Sequence, residues 1–174
     1  MKTIQVVVAL LATCVALPVT AGQDGVGYVE PFTGEPYDVN LAQMTVVDST
    51  RSVVAQGCPD QGELLCLFTD VISFVVPKVF GAADRREWTF GGLRYCALRS
   101  GASPAAFSGR VRGPVFTIWV GNAPNCESEM RWQQRYLYSP TKGVLLAEYR
   151  RENGRVDLLL LHSEYGFGAP RVHR

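Results

Sequence analysis

After residue 40 the chain alternates rather than cycles. Apolar positions recur every second residue in short runs, and no stretch sustains the 3.6-residue period of a helix. Met130, Trp132, Gln134, Tyr136 and Tyr138 alternate with Arg131, Gln133 and Arg135, which predicts a half-buried strand with an aromatic face. Residues 114–120 set Phe116, Ile118 and Val120 against Val115, Thr117 and Trp119. Apolar side chains on both faces predict a central strand covered on two sides. Residues 87–98 read as two strand pieces around Gly91-Gly92, with Trp88 and Phe90 on one parity and Tyr95 and Ala97 on the other. A bulge or tight bend at the glycines would bring the two sets into line. Shorter candidates lie at 44–47, 52–55, 64–68 and 71–79. Pro77 marks the last as an edge strand or one that ends in a bulge. Residues 100–113, rich in Gly, Ser, Pro and Ala, predict a loop with room for a short strand at 109–112.

Residues 144–151 and 155–162 predict a hairpin through Asn153-Gly154, a preferred type I′ pair. With a two-residue loop, Tyr149 faces Leu158, Ala147 faces Leu160 and Leu145 faces His162. The apolar face then carries Leu145, Ala147, Tyr149, Leu158 and Leu160. The other face carries Arg150, Glu152, Arg155 and Asp157 at the tip, with Leu146, Leu159 and Leu161 deeper. The whole predicts an all-β domain, a mainly antiparallel sandwich or open barrel of about 8–10 strands with at most a short helix.

The N-terminal pattern differs. Lys2 precedes an apolar run over 4–17, and Val19-Thr20-Ala21 supplies the small residues of a cleavage site. Residues 1–21 are therefore expected to be a cleaved signal peptide, too short in its apolar run to span a membrane. Lipidation at Cys14 fits poorly, because Thr13 stands where a small residue is needed. Residues 22–40, punctuated by Gly22, Gly25, Gly27, Pro31, Gly34 and Pro36, are expected to be an extended strap, and 41–174 a single β domain. Export implies the periplasm or the extracellular medium, and an oxidising one.

Composition then narrows the chemistry. With 47% hydrophobic and 19% charged residues the chain is a globular one. Without Lys2, sixteen basic residues face sixteen acidic ones, so no global charge favours nucleic acid or an anionic membrane. Removing Cys14 leaves four cysteines. Short and intermediate loops favour Cys58–Cys66 and Cys96–Cys126 as structural disulfides. Their spacing suits neither a zinc knuckle nor a Cys-x-x-Cys redox pair, so no metal is expected.

No nucleophile elbow, metalloprotease helix, phosphate loop or calcium loop is present, so neither catalytic residues nor a cofactor are assigned. His162 reads as a strand-end histidine satisfied by backbone or water, and His173 lies at the terminus. Asp48, Asp70, Glu127, Glu129 and Glu148 could serve a two-carboxylate hydrolase, but nothing in the sequence pairs them.

One anomaly stands out. The 39 residues between Glu87 and Glu127 contain no Asp, Glu or Lys, yet carry Arg94, Arg99, Arg110 and Arg112 among aromatics. Arg110 and Arg112 share a face across Val111, and Arg131 and Arg135 share one further on. Together with Trp119 these arginines are the candidate binding residues, for a protein partner or an anionic glycan. The function this suggests is an exported, non-enzymatic binding domain, an inhibitor or envelope accessory factor. A small secreted hydrolase and a structural envelope component are the alternatives.

Overall fold

The computed structural model describes residues 25–59, 62–81, 83–100, 107, 109–126 and 132–170. The fold is all-β. Ten strands form one antiparallel sheet that runs almost in chain order, in two meanders joined where the first strand pairs with the last. The first meander is β1 (Gly25–Val29), β2 (Pro36–Asn40), β3 (Thr45–Val47) and β4 (Ser52–Val54). The second is β7 (Arg85–Phe90), β8 (Leu93–Ser100), β9 (Val115–Gly121), β10 (Trp132–Ser139), β11 (Gly143–Arg150) and β12 (Val156–Leu161). The remaining two, β5 (Leu64–Phe68) and β6 (Ser73–Pro77), form a separate hairpin, bridged at Phe68 to Gln56 just after β4, and pack against the inner face of the large sheet.

The strand count exceeds the sequence expectation because the leader is not a strap. Within its described part it is a hairpin of the main sheet, with Tyr28 opposite Tyr37 and Val26 opposite Val39. Its prolines and Gly34 are confined to strand ends and the turn. There the Glu30 carboxylate accepts the backbone N–H groups of Phe32 and Thr33. Hydrogen bonding from Thr33 holds that carboxyl below its ordinary range. Asp48 does the same at the β3–β4 turn. It accepts from the Thr50 hydroxyl and from the N–H groups of Thr50 and Arg51, and its pKa falls to about 2.

The inner face is the core. Phe74 of β6 is fully buried and meets Tyr28, Tyr136 and Phe167, with ring centroids 5.4, 5.7 and 5.5 Å away. Four inner-face tyrosines use their hydroxyls as polar pins. Tyr136 and Tyr149 both donate to the Ser73 carbonyl, and Tyr149 also receives the Ser73 N–H. Tyr28 donates to the Val144 carbonyl and accepts from Phe167 N–H, and Tyr138 donates to the Gly168 carbonyl. The β5–β6 hairpin and the C-terminal segment are thereby fixed to the sheet by hydrogen bonds that no leucine could make. Burial raises the pKa of all four, that of Tyr138 to about 12. The close approach of the last segment needs glycine. A Cβ on Gly166 would lie 2.1 Å from the Val144 carbonyl oxygen.

The two cysteine pairs lie at disulfide geometry, with Cα separations of 5.0 Å for Cys58–Cys66 and 5.6 Å for Cys96–Cys126. Gly91-Gly92 forms a tight turn between β7 and β8, so Trp88 stacks on Tyr95 at 5.3 Å.

Two register expectations are corrected. The β11–β12 loop has three residues, not two. The Arg151 N–H bonds the Arg155 carbonyl at 2.7 Å, and Gly154 takes φ +82°. The pairing becomes Tyr149 with Asp157 and Ala147 with Leu159, so Leu159 and Leu161 face the core while Leu158 and Leu160 face outward. The apolar run 158–161 is leucine at every position, so the hydrophobic pattern is blind to a one-residue slip. Tyr28 of β1, which lies opposite Leu161, distinguishes the two registers. His162 accordingly leaves the apolar face and is exposed. The second correction is in β10, where an irregularity between Trp132 and Gln134 turns Trp132 away from the Tyr136 side.

Candidate functional site

The outer face of the sheet is the side opposite the tyrosines, and β7 to β12 build it row by row. One row runs Glu87, Cys96, Trp119, Arg135, Glu148 and Leu158 across six strands. A parallel row runs Arg85, Leu98, Thr117, Leu137, Leu146 and Leu160. On the other flank Arg94 lies opposite Gly121, and Gly121 opposite Trp132. Alternation alone dictates this assembly, since every second residue of each strand must point outward.

The irregularity at Gln133 gives the face its centre. With Trp132 turned outward, the Arg135 guanidinium carbon lies 5.5 Å from its ring centroid and that of Arg150 lies 4.1 Å from it. These are cation–π distances, worth about 0.5–1 kcal/mol each at exposed positions. Arg135 is held by a two-point fork on Glu148, with Nε at 2.5 Å from Oε2 and an Nη at 2.6 Å from Oε1. Arg94 is aimed by its Nε donating to the Ala123 carbonyl at 3.1 Å, and it pairs with Glu87 at 3.5 Å. Gly121, which has no side chain, stands between Arg94 and Trp132 in this row. The Cys96–Cys126 bridge fixes the loop after β9 beside this face.

Three of the sequence candidates, Arg94, Trp119 and Arg135, therefore meet on one surface. The others do not join them. Arg99 has the opposite parity at the end of β8 and pairs with Asp84 at 2.9 Å. Arg110 and Arg112 lie in the β8–β9 loop, where residues 109–110 form a turn and 111–112 run on irregularly rather than as a strand. Arg131 falls outside the described residues, as do His173, Glu127 and Glu129. The sequence missed Arg150. Its place beside Trp132 depends on the β10 irregularity, which leaves no hydrophobic-pattern signal.

Two of the four arginines in the arginine-rich stretch are balanced in space. Acids from outside it reach Arg94 and Arg99, namely Glu87 and Asp84. Arg150 has no carboxylate partner among the described residues, where its contact is the Trp132 ring. Of the described hydrolase candidates, Asp48 and Asp70 both pair with Arg51, at 3.5 and 2.6 Å, and Asp48 is further tied into its own turn, while Glu148 bonds Arg135. Among the described residues no group of three or more His, Cys, Asp and Glu side chains could hold a metal ion. No helix among them is long and apolar enough to cross a membrane.

Comparison with protein-family models, with curated proteins and with solved structures finds no match for this chain.

Proposed function

We propose that the chain is an exported, non-enzymatic binding domain that presents the outer face of β8 to β12 to the acidic surface of a partner protein, as an inhibitor or envelope accessory factor. The observation that carries this reading is Trp132 flanked by Arg135 and Arg150 beside a row of leucines that stay partly exposed. A one-sided antiparallel sheet in water ordinarily alternates apolar-in and polar-out. Here Leu98, Leu137, Leu146, Leu158 and Leu160 face outward, and Leu98 is 39% exposed. Among the described residues, outward arginines at 85, 94, 135 and 150 outnumber the outward acids Glu87 and Glu148. Tryptophan and arginine are also the residues most often found at the energetic centres of protein interfaces. The two disulfides and the signal-like N-terminus support an oxidising, exported setting.

The experiment is co-purification of the tagged chain from the exported fraction, alongside the double variant Trp132→Ala/Arg150→Glu. The wild-type chain is expected to retain a stoichiometric acidic protein and the variant to lose it. Recovery of the same partner by both would remove the outer face from the reading. Retention of an anionic glycan in place of a protein would change the partner class.

A further inference from the structure

The sheet has a second feature that the outer face does not use. At one end of the inner face the described part of the β8–β9 loop, Phe107 and residues 109–112, lies beside the start of β11 and the end of β12, and the Thr141 hydroxyl donating to the Arg112 carbonyl ties it there. Between loop and sheet lies a cavity of about 410 Å³. Its floor is apolar: Phe107, Leu145 and Leu161 are buried core residues, and Val111 stands beside them. Its rim is polar and carries Arg110, Lys142, His162, Ser163 and Glu164.

We infer that this cavity is a binding site for a single-chain amphiphile with one negative charge, a medium-length carboxylate. Three observations determine that chemistry. The volume falls within the range of about 300–1,000 Å³ common to small-molecule sites, which favour the mouths of curled sheets. The division into apolar floor and charged rim requires a ligand divided in the same way. The charge count then selects a monoanion. Lys142 lies 3.6 Å from Glu164 and 4.0 Å from the Tyr165 ring, so its charge is already answered by a carboxylate. Arg110 is exposed and forms no ion pair among the described residues. Among the described lining residues it is the one rim cation left for a headgroup, and its planar fork suits a carboxylate. A phosphate dianion would bring a second charge toward Glu164, which repels it. Ser163 does not compete for the headgroup, because its hydroxyl donates to the Tyr165 carbonyl at 2.7 Å.

The test is calorimetric titration of the intact secreted chain with decanoate, decanol and decyl phosphate. Decanoate is expected to bind one per chain and at least tenfold more tightly than decanol or decyl phosphate. Arg110→Glu should weaken decanoate about tenfold or more and leave decanol unchanged. Arg112→Glu, two residues along and outside the cavity, should alter neither. Val111→Trp should exclude all three ligands by filling the space, with circular dichroism confirming the fold. Equal affinity for decanoate and decanol, equal losses at Arg110 and Arg112, or no binding would overturn the inference. So would loss of decanoate in Trp132→Ala, which would move the site to the outer face. Trp132 lies outside this cavity, so failure here leaves the partner-binding reading standing.

Discussion

The two faces of one sheet are built to different rules. The inner face is closed, since each of its four hydroxyl pins meets a backbone group and Phe74 packs ring to ring with Tyr28, Tyr136 and Phe167. The outer face of β8 to β12 is open, with leucines in rows, tryptophan between arginines, and ion pairs that remain partly exposed. Exposed ion pairs contribute little to stability, about 0–1 kcal/mol each. Buried hydrogen-bonded tyrosines and rings contribute several times more. Stability therefore resides on one face, and the other is free to carry recognition without unfolding the domain when it is altered.

The strongest way to break this comparison is to cut the inner face. Phe74→Ala should lower the unfolding free energy by about 3–5 kcal/mol in urea titration. Leu146→Ala, on the outer leucine row, should cost about 1 kcal/mol. Equal costs would mean that the outer row is also core. Removing the Cys96–Cys126 bridge by a double change to alanine should cost about 2–4 kcal/mol, as expected for a loop of this length. Tyr28→Phe is a finer cut. It leaves the Phe167 N–H buried without an acceptor and should cost about 1–3 kcal/mol.

The predicted pH response also differs between core and surface. The buried tyrosines have folded pKa values above the unfolded value near 10, reaching about 12 for Tyr95 and Tyr138. Their contribution to stability is complete below about pH 10 and is lost as pH rises toward 12. Phenolate absorbance should thus appear together with unfolding, and ionisation in the folded state would contradict the burial. At the acid end the signs reverse. Asp48 and Glu30 have lowered folded pKa values, so their turn contacts are complete above about pH 4 and weaken as pH falls toward 2. Asp48→Asn should flatten that acid limb slightly.

What the sequence disclosed, and what it hid, follows the same division. The all-β class, the strand at 114–120 and both cysteine pairs were legible because alternation, turn residues and loop length are local signals. The registers of β12 and β10 were not. A run of four leucines reads the same in either register, and an irregularity at Gln133 replaces no apolar residue. Those two details decide which way Trp132 and Leu158 to Leu161 point, and so which residues meet at the candidate face. The arginine anomaly was real as composition, but acids from the neighbouring β7 side of the hairpin answer Arg94 and Arg99 in space. His162 could be placed only once the register was known.

The smallest expected change in stability belongs to the central residue of the outer face. Trp132→Ala/Arg150→Glu should leave the urea midpoint within about 1 kcal/mol of the parent, because both side chains lie outside the core. The most direct measurement joins that midpoint to retention on immobilised polyglutamate as salt is raised. The parent chain is expected to be held at low salt and released as salt increases, and the double variant to elute earlier with an unchanged midpoint. Unaltered retention, or a loss of stability comparable to Phe74→Ala, would contradict the division of labour between the two faces.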